Sequence, residues 1–166
     1  MKKLVFLFWV SVLLCPLTAQ VGQNRIKKGL PAFNILQIDG THFKASDLNK
    51  DLPVMLVYFD PDCDHCRLFI QELLKQADSF RQVQIVMVTY VPIQQVKKFV
   101  ANTGLSNYPA IKVGTESSDF VVRYHYNIMQ FPFLALHDEN GQLFATYESV
   151  VPAVDKLAMM FRGKNK

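Results

Sequence analysis

Residues 52–69 read LPVMLVYFDPDCDHCRLF. The apolar run 52–60 is bounded by Pro53 and Pro61. At that length it reads as a central strand buried on both faces. Immediately after it come Cys63 and Cys66, two residues apart. From Cys66 to about Phe80 the spacing turns helical, with Phe69, Leu73, Ala77 and Phe80 on one stripe. A buried strand running into a helix, with a cysteine pair at the junction, is the pattern that the rest of the chain must fit.

The chain continues in the same manner. VQIVMVTY (83–90) reads as a second buried strand, and IQQVKKFVANTG (93–104) as an amphipathic helix that Gly104 ends. Strand, helix, strand, helix predicts a parallel pair with a right-handed crossover. Upstream, LPAFNILQIDGTHFKASDL (30–48) reads as two short strands about an Asp39-Gly40 turn, with Ser46 or Asp47 opening a brief helical turn. Downstream, 117–128 reads as a short helix capped by Ser117 or Ser118. Residues 131–148 read as a hairpin about 138–141, and 151–162 as a closing amphipathic helix. There is no internal repeat, low-complexity stretch or domain linker.

At 166 residues, half of them hydrophobic, the chain suffices for one domain with a real core. Residues 1–19 are expected to stand apart from it. Lys2 and Lys3 precede an apolar run from Leu4 to Leu14, followed by a small, polar end at LTAQ. That order is a signal peptide with cleavage near Ala19, and the run is shorter than the roughly 20 residues that span a bilayer. A lipid anchor at Cys15 is disfavoured by the bulky Leu14 before it. The expected organisation is a signal peptide at 1–19, a lead at 20–29 and one domain at 30–166, periplasmic or secreted. Cleavage removes two lysines and no acid, so the formal net charge falls from +4 to +2. That charge offers no surface for nucleic acid. It also leaves Cys63 and Cys66 as the two cysteines of the mature chain, in a compartment where disulfides persist.

Several jobs suit a cysteine pair with this spacing. Structural zinc needs about four ligands, and neither a second cysteine pair nor a His-x₃₋₅-His spacing accompanies this one. A c-type haem needs histidine after the second cysteine, where Arg67 stands. A structural disulfide closing so short a loop constrains the unfolded chain little. Position argues for redox exchange. Cys63 falls at a helix start, where backbone N–H groups and the dipole favour a thiolate. Cys66 lies one turn further in, within reach of a mixed disulfide formed at Cys63. Between them, a protonated His65 would favour the thiolate and Asp64 would oppose it. Equally, both read as solvated helix-start residues.

A central strand, a Cys-x-x-Cys at the next helix and a late X-Pro before a hairpin together resemble the thioredoxin fold. PAFNILQIDGTHFKASDL (31–48) resembles the N-terminal hairpin of exported redoxins, the TlpA-like branch of the AhpC/TSA and thioredoxin-like families. The resemblance covers about residues 30–163. It implies an α/β fold with a central mixed sheet flanked by helices and an N-terminal β-hairpin extension. It also implies a thiol–disulfide oxidoreductase of the cell envelope, with Cys63 attacking, Cys66 resolving, and protein thiols or disulfides as partners. No cofactor and no metal are implied. Pro132, in QFPFLAL, matches the family's cis-proline, and Phe131 before it would present an apolar surface to a partner.

The chain departs from that pattern in three places. Asp62 replaces a tryptophan, and Asp64-His65 replace the usual middle pair. Val57 stands where thioredoxins bury an acid. Asp60, expected to be exposed at the strand end, and Glu116 and Asp119 are the other acids available. A peroxiredoxin would carry threonine or serine at Asp60. A Sco-like copper carrier on the same fold is the alternative, pairing the soft thiolates with His125 or His137.

Overall fold

The computed structural model describes residues 29–116 and 118–164. The expected signal peptide, most of the lead, Cys15 and Ser117 lie outside the described residues. The run in the opening stretch forms strand β3 (Val54–Tyr58), buried along its whole length. It lies between β4 (Gln84–Thr89), parallel to it, and β6 (Phe133–His137), antiparallel. The other strands are β1 (Asn34–Gln37), β2 (His42–Lys44), β5 (Lys112–Glu116) and β7 (Leu143–Glu148). Together they make one mixed sheet in the order β2-β1-β5-β4-β3-β6-β7.

Both faces of the sheet are covered, which is why β3 and β4 are apolar on both sides. Met55, Val57 and Phe59 face α1 (Asp64–Lys75), α2 (Ile93–Thr103) and α4 (Val154–Lys164). Phe69, Ile70 and Leu73 of α1, Phe99 of α2, and Leu157 and Phe161 of α4 fill that side. Val54, Leu56 and Tyr58 face the other way, toward Phe33, Ile35 and the short helix α3 (Val121–Tyr126). Each large aliphatic side chain buried in this way contributes about 1.5–3 kcal/mol. The N-terminal hairpin forms as expected, with Gly40 at positive φ in its turn and β1 lying against β5.

Several expectations need correction. The first helix ends at Lys75, because Gln76 leaves helical geometry and 77–80 form a separate 3-10 turn that buries Phe80 against Phe161. The brief turn before β3 spans Ala45–Asp47, and Asp47 closes it from its far end by accepting the Lys44 N–H at 2.8 Å. The helix expected over 117–128 is only Val121–Tyr126, with Phe120 rather than Ser118 at its N-cap. Its cap comes from the preceding strand, where the Glu116 carboxylate accepts the Val122 N–H at 2.8 Å. Gly104 ends α2 in the left-handed conformation, as expected. Strand β5 has no counterpart in the sequence reading.

Candidate functional site

The chain leaves β3 at Phe59 and turns through Asp60-Pro61-Asp62 into α1. The Asp60 carbonyl accepts the Cys63 N–H at 3.1 Å, and Asp60 Oδ1 accepts the Asp62 N–H at 2.8 Å. These two bonds fix the turn and set Cys63 at the N-cap of α1. There the Cys63 sulfur replaces the usual capping oxygen. It accepts the Cys66 N–H at 3.2 Å, so the two cysteines are tied together across the first turn.

The pair is unequal. Cys63 is half-exposed, whereas Cys66 is fully buried. Burial pushes the Cys66 thiol up, and the Cys63 sulfur, which takes a hydrogen bond from it, pushes in the same direction. Both residues carry free thiols in this structure. Cys63 is therefore the more accessible sulfur, with a protonated thiol held behind it.

Opposite the pair, the Phe131–Pro132 peptide bond is cis. The Phe131 carbonyl faces Cys63 Sγ at 3.9 Å. Its ring stacks on Tyr58 (5.9 Å between centroids) and on Tyr90 (5.8 Å), and the Arg123 guanidinium lies 5.9 Å from it. The end of β7 braces this segment, since one Glu148 oxygen accepts the N–H groups of Met129 and Gln130 at 2.6 Å each.

The residues between the cysteines are both exposed. Asp64 is paired with Arg67. His65 lines an open groove of about 460 Å³ with Leu68, Pro132 and Val150. Val57 is fully buried among apolar side chains, so that position has no acid. Glu116 is buried, but it bonds the Tyr58 hydroxyl at 2.6 Å on the face of the sheet opposite Cys66. Burial raises its pKa, against the pull of those hydrogen bonds and of Arg123. Asp60 corrects an expectation: it is half-buried, and the Tyr90 hydroxyl donates to its Oδ2 at 2.5 Å. Neither Tyr90, Arg123 nor Glu148 is marked by any sequence motif, because their contacts to the site cross 8–41 residues and join different elements.

The histidines lie elsewhere. His137 pairs with Val54, at the opposite end of β3 from the cysteines, and is fully buried. His125 meets the Gly29 carbonyl at 2.8 Å. Among the described residues, no three His, Cys, Asp or Glu side chains are grouped to hold a metal ion.

A half-exposed Cys63 capping a helix, a buried Cys66 one turn inside it and a cis-proline opposite them, on this sheet, define a thioredoxin-like protein. Residues 26–162 match the AhpC/TSA family model, and the chain belongs to that family. Solved structures repeat the fold at low identity. A thiol:disulfide interchange protein of Chlorobium tepidum has TM-score 0.70 at 16% identity, covering 84% of this chain and 97% of that one. A secreted Mycobacterium tuberculosis disulfide oxidoreductase, described as homologous to E. coli DsbE, has TM-score 0.66 at 18% identity, covering 80% and 96%. The thioredoxin domain of a Bacteroides vulgatus thiol-disulfide oxidoreductase has TM-score 0.67 at 20% identity, covering 82% and 99%. No curated protein matches the sequence.

Proposed function

We propose that the protein is a thiol–disulfide oxidoreductase of the cell envelope, exchanging disulfides with partner proteins through Cys63 and Cys66. The observation that carries this reading is the inequality of the pair: an approachable sulfur at a helix cap, bonded to the amide of a buried thiol. Cys63 attacks a partner disulfide and forms a mixed disulfide. Cys66 then attacks Cys63, expelling the partner thiolate and closing the Cys63–Cys66 disulfide. The partner gains two electrons and the dithiol loses two. Run backwards, the same steps oxidise a partner.

The family and the oxidoreductases among the structural neighbours support the chemistry. The basic-then-apolar leader at 1–19 and the secreted neighbour support export. No helix among the described residues is long and apolar enough to cross a membrane. The copper-carrier alternative loses its histidine, since His125 and His137 both lie away from the pair.

Trapping tests the reading. In Cys66→Ala the resolving sulfur is gone, so mixed disulfides at Cys63 accumulate and are released by reductant. Cys63→Ala forms none. Equal trapping by both variants, or by neither, counts against disulfide exchange at this pair.

A further inference from the structure

Arg123, on α3, takes part in no step of the exchange. Its guanidinium lies 5.4 Å from the centre of the Tyr90 ring and 5.9 Å from that of Phe131. The same Phe131 turns its carbonyl to Cys63 Sγ at 3.9 Å, so one residue touches both the arginine and the more accessible sulfur. Arg123, Tyr90 and Phe131 are all half-exposed, and the cluster opens to solvent. The rings are themselves held, Tyr90 by its hydroxyl on Asp60 at 2.5 Å and Phe131 by its stack on Tyr58. Two ring contacts order a guanidinium without using its N–H groups. Among the described residues, that guanidinium enters no ion pair and donates no hydrogen bond. Glu116 acts on it by charge, but its oxygens are engaged by the Tyr58 hydroxyl at 2.6 Å and the Val122 N–H at 2.8 Å. A planar fork of donors, pre-ordered and partly desolvated, is matched by a carboxylate, which it takes in two parallel hydrogen bonds. Asp62 and Asp64 are exposed around Cys63, and Arg67 is already paired with Asp64. An acidic partner therefore needs a free cation on its approach, and Arg123 supplies one.

We propose that Arg123 is a specificity-determining residue, which binds the side-chain carboxylate of an acidic residue lying within about four residues of the partner's reacting cysteine. Four extended residues reach about 13 Å, enough to pass Phe131. This rests on the exchange chemistry proposed above. The subsite holds the partner while the Cys63 sulfur bonds one partner sulfur and the other leaves with the electron pair. Arg123 exchanges no proton and keeps its charge throughout. Tyr90 and Phe131 act through it, as positioning residues.

Peptides with one cysteine, carried as the mixed disulfide with pyridine-2-thiol, test this. Attack by Cys63 on the peptide sulfur releases the coloured thione, so stopped flow reads the second-order rate constant of that step. A set carries Glu, or Gln in its place, at each position up to four residues on either side of the cysteine. In wild type the best Glu peptide should react about fivefold faster than its Gln twin, the size of an exposed ion pair with good geometry. That ratio should shrink with added salt. It should fall to about one in Arg123→Gln and stay partly in Arg123→Lys, which keeps the charge without the fork. Lys50→Gln removes the same charge from an exposed residue before the start of β3, at the far end from the cysteines, and should keep the full ratio. No Glu preference in wild type at any position overturns the proposal. So does a preference that survives in Arg123→Gln, or one that Lys50→Gln loses equally, which would mark it as an effect of net charge. Equal slowing of Glu and Gln peptides in Arg123→Gln, with the ratio kept, overturns it as well and makes Arg123 a structural brace. Oxidised glutathione is run alongside. If its rate depends on Arg123 as strongly as the best Glu peptide does, the carboxylate belongs to a small thiol and the polypeptide assignment fails. Wild-type protein that releases no thione from any peptide would instead sink the exchange reading itself.

Discussion

His137 sits with no exposed surface between the Tyr126 hydroxyl, 2.7 Å from Nε2, and the Gly141 carbonyl, 3.1 Å from Nδ1. A neutral ring satisfies both partners, with Nδ1–H donating to the carbonyl and Nε2 accepting from the tyrosine. Burial holds its pKa below the ordinary value of 6.5, and nearby His125 adds to this. The unfolded chain therefore binds a proton that the folded chain refuses. The stability tied to His137 is complete above about pH 6.5 and falls as the pH drops below it, by at most about 1.4 kcal/mol per pH unit. Glu116 has the opposite sign: its pKa is raised by burial, so acid relieves its cost. Urea midpoints of wild type and His137→Gln across this range separate the two, because both proteins keep Glu116. Wild type should lose more stability on acidification, and parallel curves would contradict the assignment. The sequence marked His137 as a copper candidate because residue type suggests ligands. The register opposite Val54, which decides otherwise, is a long-range property.

At the scale of elements, long apolar runs and glycine stops were legible: β3, β4, α2 and the hairpin about Gly141 fall where periodicity puts them. Strand β5 was not. Its sequence, KVGTE, carries a lysine, a glycine and a glutamate in five residues and has little apolar character. Packing explains the glycine. A Cβ on Gly114 would stand 2.6 Å from the Leu36 carbonyl oxygen of β1, so the two backbones approach too closely for a side chain. Gly114→Ala should therefore loosen the N-terminal hairpin from the sheet and destabilise the protein by about 1–3 kcal/mol. Hydrogen exchange would show the loss concentrated in β1 and β2, and a uniform loss would contradict the local cause. The cap of α3 eluded the sequence for a similar reason, since Glu116 reaches Val122 from the end of a strand that had not been recognised.

Across the whole molecule, chemistry gathers at one end of the sheet. The carboxyl end of β3 carries the cysteines, and the cis-proline before β6 faces them, because β6 runs antiparallel with Phe133 opposite Tyr58. Local spacing singled out Cys63 and Cys66 as candidates, and the family resemblance added Pro132. Neither could find Tyr90, Arg123 or Glu148, which reach the site only once β4, α3 and β7 are in place. Spacing also misjudged Asp60, which looks like a strand-end solvent residue until Tyr90 folds over it. The central claim is that Cys63 and Cys66 act as one two-electron couple. Equilibration of the purified protein against glutathione buffers, followed by thiol counting and mass measurement, tests it most directly. The account predicts a single reversible two-electron transition, with loss of two hydrogens and of both thiols within one chain. Thiols that stay reduced across the range, or that oxidise only between chains, would contradict it.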